Sequence, residues 1–326
     1  MKIEFKKTLE FIYALQAMIL YKYSDVEGEL KFIHLSYTEY FLDIYEMLKN
    51  EDLKELEYFF KFALRNTADS AILAVALDDN YNLKYEPPLH TNLSKKELRY
   101  FVDLIKNIAN RVNWDEFFKD HETFYSDAIK KFCKLPDGFN LDEYIKFYDL
   151  EPNSFNYIPT FFIWDAFGIS DDATNFYCIQ GFNYYDKEED LVDEIPFLID
   201  NIFHEFSHPI CNAIVDKYFY LIEYPEKLYE FSKRHGLPEG YSMSVRTVYY
   251  EYLVRSVAYI LSAYYCVDTG IVLKHNLSLG FVLIDKFVER ISYCIDKYDS
   301  FEEMYVSEII PFINGLVLEG PRKCLK

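Results

Sequence analysis

Glycine and proline are scarce in this sequence, with 10 and 11 residues among 326. A fold made of many short strands needs a turn about every ten residues, and turns depend heavily on these two residue types. Their scarcity therefore argues against a large β-rich fold. A mostly helical protein fits the composition better.

Cysteine is also sparse, and no two cysteines form a CxxC pair or lie densely spaced. A chain of this length can bury a core without disulfide staples, so we expect all six thiols to be reduced. They are Cys133, Cys178, Cys211, Cys266, Cys294 and Cys324.

Basic residues are too few for a partner rich in phosphate. The chain has 34 Lys and Arg against 54 Asp and Glu, a net charge of −20, which disfavours nucleic acid and anionic membrane surfaces.

No apolar run reaches the roughly 18 residues of a membrane span, because Arg255 and Asp268 bracket the best candidate. No signal-peptide cleavage site follows the start, so we expect a cytoplasmic protein.

What the chain does have is apolar material, since 51% of residues are hydrophobic and 19% are aromatic. Apolar residues recur at helical spacing through residues 8–149, which predicts a mostly helical N-terminal region over residues 1–150. Two aromatic and β-branched runs after Asn153 predict a hairpin, and further helices follow it. The expected fold class is α+β and predominantly helical, with a small antiparallel sheet. Residues 151–326 form the second region, either separately or as one lobe of a continuous domain.

The strongest chemical signal is the HExxH motif formed by His204, Glu205 and His208. Residues four apart share a helix face, so both imidazoles can reach one metal ion, and Glu205 can hold the attacking water. The pattern predicts one Zn²⁺ with a third protein ligand from a downstream helix. The simpler alternative is a pair of histidines satisfied within a core helix.

Glu251 is the best candidate for the third ligand, because it lies in an otherwise apolar and aromatic helix. Burying a carboxylate without a cation is costly. Arg255, four residues on, can orient that carboxylate, whereas the alternative is a plain surface ion pair. Cys211 shares the histidine face but lies about 10 Å along the axis from His204, so we interpret it as a buried apolar residue.

Other residues near the motif carry weaker signals. Pro209 directly follows the second histidine and is expected to kink the helix, which either re-aims His208 or leaves a degenerate site. Four side chains are candidates to polarise a substrate carbonyl, each more often a plain structural residue. They are His235, Tyr241, Tyr249 and Tyr250.

The segments NIFHEFSHPICNAIVDKY and EYLVRSVAYI resemble an uncharacterised bacterial family of predicted gluzincin-type zinc metallopeptidases. The similarity extends to ALQAMIL, DEFFKDHETFY and FVLIDKFVERI. It implies a zincin-like fold, with His204, His208 and Glu251 as zinc ligands, Glu205 as general base and Arg255 beside them. Pro209 and Ser256 depart from the family pattern, and many relatives carry an export signal that is not seen here.

The sequence thus predicts a zinc metallopeptidase, with a peptide or protein substrate. Two alternatives remain: a non-catalytic helical binding protein with a relic or structural metal site, and a metal-dependent hydrolase of non-peptide amides. The resemblance further implies a sheet edge beside the metal, to which an extended peptide could add. We assign that edge to Asn175, Phe176, Tyr177, Cys178 and Ile179, within residues 175–181.

The net charge and the acidic residues 186–194 predict a negative field around this strand, which would favour peptides with Lys or Arg near the cut. The alternative is an internal strand followed by an acidic, solvated helix start.

Overall fold

The computed structural model describes residues 1–23, 38–64, 67–91, 93–163, 166–171, 174–182, 195–265 and 268–316. The predicted acidic run 186–194, Cys266 and Cys324 lie outside these residues. The four strands are β1 (Lys2–Ile3), β2 (Ser154–Thr160), β3 (Ala166–Ser170) and β4 (Asn175–Gly181).

The described part of the chain is predominantly helical. The helices are α1 (Lys7–Tyr23), α2 (Thr38–Leu48), α3 (Lys54–Tyr58), α4 (Thr67–Ala76), α5 (Lys95–Arg111), α6 (Trp114–Asp120), α7 (Glu122–Phe132), α8 (Asp142–Tyr148), α9 (Ile195–Tyr218), α10 (Glu226–Arg234), α11 (Val245–Ser262), α12 (Gly270–Ser278), α13 (Ile284–Cys294), α14 (Phe301–Met304) and α15 (Ile310–Asn314). Short π-helical segments follow α3 at Phe59–Ala63 and α14 at Tyr305–Ile309. Short 3₁₀ turns follow α9 at Phe219–Leu221 and precede α11 at Glu239–Tyr241.

Local capping signals fix several of these helices. Ser94 caps α5 through a capping box, in which its hydroxyl accepts from the Glu97 N–H and the Glu97 carboxylate accepts from the Ser94 N–H. The Ser244 hydroxyl likewise accepts from the Thr247 N–H at 3.1 Å and starts α11. The predicted helical array after residue 8 and the predicted helix after Ser244 are confirmed where the structure describes them.

The sheet is mixed, with strand order β1-β2-β4-β3. The predicted hairpin exists as the antiparallel pair β3 and β4, with Gly168 opposite Cys178. However, β2 pairs with β4 in parallel and β1 pairs with β2 in parallel, so the prediction of an antiparallel sheet is wrong in this respect. The first of the two predicted runs contributes to both β2 and β3, and β4 lies between these two strands in the sheet.

The assignment of Asn175, Phe176, Tyr177, Cys178 and Ile179 to a sheet edge is also wrong. These residues form β4, which is hydrogen-bonded to β2 on one side and to β3 on the other. Neighbouring residues Cys178 and Ile179 point to opposite faces of the sheet and are both fully buried, as is typical of an internal strand. In the described sheet, β3 is the edge strand on this side.

Helix α9 packs against β3 and β4, and it approaches β3 closely at Gly168. A Cβ atom at this position would lie 1.6 Å from the backbone oxygen of Glu205. The edge strand therefore crosses directly over the backbone of the HExxH motif, which only glycine permits.

The N-terminal strand joins the two sequence regions, because Lys2 and Ile3 pair with Asn156 and Tyr157. One hydrophobic core includes buried residues from Phe5, before α1, through to Ile313 in α15. Of the helices the structure describes, none combines the length and the apolar character that crossing a bilayer requires.

Candidate metal centre

Two histidines lie on one face of helix α9. Apolar side chains at helical spacing, among them Ile199, Ile202 and Phe203, are buried and hold the helix in the core. The Nε2 atoms of His204 and His208 are 3.0 Å apart. Both imidazoles can therefore contact one ion.

The third member of the cluster comes from α11, which packs along α9. The Oε1 atom of Glu251 is 3.7 Å from Nε2 of His208, and its Oε2 atom is 3.8 Å from Nε2 of His204. The three ligand atoms lie within 4.8 Å of one another. The structure thus brings together the three residues that the sequence predicts as metal ligands.

Burial favours the neutral form of both histidines. It lowers the pKa of His204 well below its usual value, and the neighbouring His208 and Arg255 lower it further. Burial also lowers the pKa of His208, although the Glu251 carboxylate and the hydrogen bond to Asn212 oppose the shift. Neutral imidazole is the form that binds a metal.

Glu251 is held by Arg255 inside the protein. The Nε of Arg255 donates to Oε2 of Glu251 at 2.9 Å, and each residue is 7% exposed. The alternative of a surface ion pair is therefore wrong. Because Arg255 engages Oε2, it fixes the carboxylate with Oε1 toward His208.

Glu205 lies beside the histidine pair. Its Oε1 atom is 3.9 Å from Nε2 of His204, and the residue is buried. Its backbone is packed against Gly168 on the sheet side. The carboxylate is thus placed to take a proton from a water molecule held next to His204.

Pro209 lies inside α9 without ending the helix. It has no N–H to donate to the carbonyl of Glu205, four residues earlier, yet α9 is helical from Ile195 to Tyr218. The two histidines still meet Glu251 across the proline. Pro209 is therefore compatible with the assembled cluster.

Two polar residues of α9 are not among the sequence predictions. The Oδ1 of Asn212 lies 3.3 Å from Nδ1 of His208, which leaves Nε2 facing the cluster. Asp200 is buried and its Oδ1 has no hydrogen-bond partner among the described residues. Burial raises the pKa of Asp200 to about 7 against the opposing effect of Arg255. Both lie four residues from a ligand, so helical spacing could have identified them.

Two of the predicted carbonyl-polarising tyrosines bind groups outside the cluster. The Tyr249 hydroxyl donates to the backbone carbonyl of Pro225 at 2.8 Å. The Tyr250 hydroxyl donates to Oδ1 of Asp216 at 2.5 Å. Neither contact directs a hydroxyl toward the histidines.

The other two candidates differ in their surroundings. Nδ1 of His235 lies 2.8 Å from the carbonyl oxygen of Phe231, at the end of α10. The ring of Tyr241 lies 4.7 Å from the guanidinium carbon of Arg255. Of the four, Tyr241 is the residue that the described contacts place next to the cluster.

Cys211 has a separate environment, as expected from its position along the helix. Its Sγ is 3.2 Å from the Tyr148 hydroxyl, and burial raises the pKa of the thiol to about 12. Each of the four described cysteines is a free thiol. Cys211 is therefore a structural residue of the core.

One family matches the chain over nearly its whole length. The family is described as "Domain of unknown function (DUF4932)", and its model matches residues 10–312. No curated protein and no solved structure matches the chain. The match includes both histidines, Glu205 and Glu251.

Proposed function

The chain belongs to this DUF4932 family, and we propose that it is a zinc-dependent hydrolase of peptide bonds. One observation carries the proposal: Glu251 meets His204 and His208 of an HExxH helix, while Glu205 lies beside them. The resemblance of these helices to gluzincin-type metallopeptidases supports the same reaction class and a zincin-like fold.

The donor set fits zinc. Two neutral imidazole nitrogens and one carboxylate oxygen are a common set of protein ligands at catalytic zinc sites, where a fourth position stays open. His204, His208 and Glu251 would hold the ion. When bound, zinc supplies Lewis-acid chemistry, polarising the scissile carbonyl and lowering the pKa of the attacking water.

The protein's own residues supply the proton transfers. A carboxylate oxygen of Glu205 takes a proton from the water that attacks the peptide carbonyl, and then gives it to the nitrogen of the leaving amine. The burial of Glu205 keeps bulk water from competing for that proton. Arg255 keeps Glu251 oriented throughout.

The edge strand β3 is the position we propose for an extended substrate, in place of β4. It is the edge of the described sheet on the α9 side, and Gly168 places it directly over Glu205. A peptide adding to this edge would lie one strand away from the contact between β3 and the Glu205 backbone. The net charge of −20 favours a basic peptide.

A cytoplasmic location remains part of the proposal. Free thiols at the four described cysteines suit a reducing compartment.

The experiment is a zinc measurement on the purified chain, followed by digestion of a mixed peptide library. We expect about one zinc per chain and cleavage products identified by mass spectrometry. The Glu205→Gln variant is the matched control, because it should keep the metal and lose turnover. Comparable turnover in both proteins would remove Glu205 from the mechanism.

The same experiment separates the two alternatives. Bound zinc without cleavage of any peptide or small amide would indicate a binding protein with a relic or structural metal site. Cleavage of small amides but not of peptides would indicate a hydrolase of non-peptide amides. Absence of zinc from the metal-supplemented protein would overturn the proposed function.

A further inference from the structure

A mostly buried layer of side chains lies next to Glu251. Its centre is Arg255, whose guanidinium carbon is 4.7 Å from the ring centroid of Tyr241 and 4.5 Å from that of Phe281. Arginine stacks well on aromatic faces, so the two rings restrict the plane of the guanidinium. The polar edge of that plane donates to Glu251 and, through Nη1, to Oδ1 of Asn276 at 2.7 Å.

A single turn supplies two of these contacts. Helix α12 ends in a Schellman motif: Gly280, at φ +91, donates to the Leu277 carbonyl, and the Phe281 N–H donates to the Asn276 carbonyl at 3.1 Å. The same turn therefore presents the Asn276 amide and the Phe281 ring to Arg255.

The contact between Tyr241 and Arg255 comes from the segment before α11. A Cβ atom on Gly280 would lie 2.6 Å from the backbone nitrogen of Leu237, so the two turns touch backbone to backbone. That segment continues to Tyr241, whose ring contacts both the Arg255 guanidinium and the Phe281 ring, with the two ring centroids 5.6 Å apart. Two turns that are distant in sequence thus converge on one guanidinium.

We propose that Asn276 is a positioning residue for the metal centre, acting through Arg255 on the ligand Glu251. The inference rests on the proposed function, because it requires a metal held by Glu251. Arg255 and Asn276 form a chain of two hydrogen bonds that ends at Oε2 of Glu251, while Oε1 faces His208.

The surroundings of Asn276 tolerate little change, because the residue is 1% exposed. Without its Oδ1, Nη1 of Arg255 would lose an acceptor in a buried site where water cannot easily replace it. The guanidinium would lose one of the contacts that fix its position between Glu251 and the two rings, so it would shift, and the carboxylate bound to it would shift with it. Loss of such an outer hydrogen bond typically weakens metal binding about 10- to 100-fold.

The test compares three variants of the full chain by competitive zinc titration. Asn276→Leu should raise the zinc Kd about 10- to 100-fold. Asn276→Asp should stay within about threefold of the unmutated protein, because Oδ1 is kept and Nδ2 has no hydrogen-bond partner among the described residues to lose. Val272→Ala, a buried apolar change on the same helix, is the control for simple destabilisation and should leave the zinc Kd unchanged.

Cobalt(II) substitution gives a second measurement, and its result does not depend on the overall stability of the protein. The visible absorption of the cobalt-loaded protein reports the geometry of the ligands. It should change in Asn276→Leu and return to the unmutated shape in Asn276→Asp.

The outcomes separate the inference from the proposed function. If the unmutated chain binds zinc and Asn276→Leu binds it equally well, or if Val272→Ala weakens binding as much, the inference fails alone. If the unmutated chain binds neither zinc nor cobalt, both fail.

Discussion

At the scale of single residues, Glu251 has two partners, the histidine pair and Arg255. Glu251→Ala removes one of three protein ligands and should reduce zinc binding to a level not detected by titration. It also leaves Arg255 buried without its carboxylate, which should lower the free energy of unfolding of the metal-free protein by about 3–5 kcal/mol. Urea unfolding in the presence of a chelator measures the second effect.

A double variant separates these two effects. Glu251→Ala combined with Arg255→Leu removes the buried charge pair altogether, so most of the lost stability should return while zinc binding does not. Zinc binding restored in the double variant would show that the third ligand lies elsewhere.

Glu10, in helix α1, makes a pH-dependent contribution to stability. It is fully buried, accepts a hydrogen bond from the Tyr40 hydroxyl at 2.8 Å, and burial raises its pKa to about 7. A carboxyl group with a raised folded-state pKa stabilises the fold fully below its unfolded pKa, about 4.3. That contribution is lost as the pH rises through about 7.

Glu10→Gln keeps a neutral side chain of the same shape and removes this loss. At pH 8 the variant should therefore be more stable than the unmutated protein by about 1–3 kcal/mol, and near pH 4 the difference should vanish. Urea unfolding across this pH range measures it. An equal difference at both pH values would show that ionisation of Glu10 is not the cause.

At the scale of secondary-structure elements, the contact between β3 and α9 depends on the missing side chain of Gly168. Gly168→Ala would place a methyl group into the Glu205 backbone, so the strand or the helix must shift. We expect a loss of about 1–3 kcal/mol in the free energy of unfolding, the usual cost of overpacking. Gly240→Ala is the matched control, because nothing lies within 4 Å of its added Cβ. Equal stability of the two variants would contradict the close contact.

The elements that the sequence predicts well are those fixed by local pattern. The HExxH spacing places His204 and His208 on one face whatever the rest of the chain does, and Ser244 starts α11 by its own hydroxyl. Strand neighbours depend instead on distant pairing. An apolar run such as β4 reads the same whether it lies at an edge or between two strands, so its parallel partner β2 was not predictable from pattern alone.

The residues around the metal ligands also divide into those that the local sequence pattern predicts and those that it does not. Arg255 lies one turn from Glu251 and was predictable from the spacing. Asn276 reaches the same guanidinium from another helix, 21 positions away in the sequence. Nothing in the local pattern of α12 marks that asparagine, since the contact exists only once α11 and α12 are packed.

At the scale of the whole molecule, the net charge of −20 should influence which peptides are cleaved. Peptides with Lys near the cut should have a higher kcat/KM than matched peptides with Glu, because the field attracts them. Added salt should reduce the ratio, as the screening length falls from about 10 Å at 0.1 M to about 3 Å at 1 M. A neutral peptide is the control. A ratio near one at low salt would refute the electrostatic part of the substrate proposal.

The measurement that most directly tests the metal centre is anomalous diffraction at the zinc absorption edge from crystals of the zinc-supplemented protein. We predict one peak between His204, His208 and Glu251, at about 2.0–2.2 Å from one donor atom of each. A peak bound by other residues, or no peak between these three, would contradict a zinc site at this cluster.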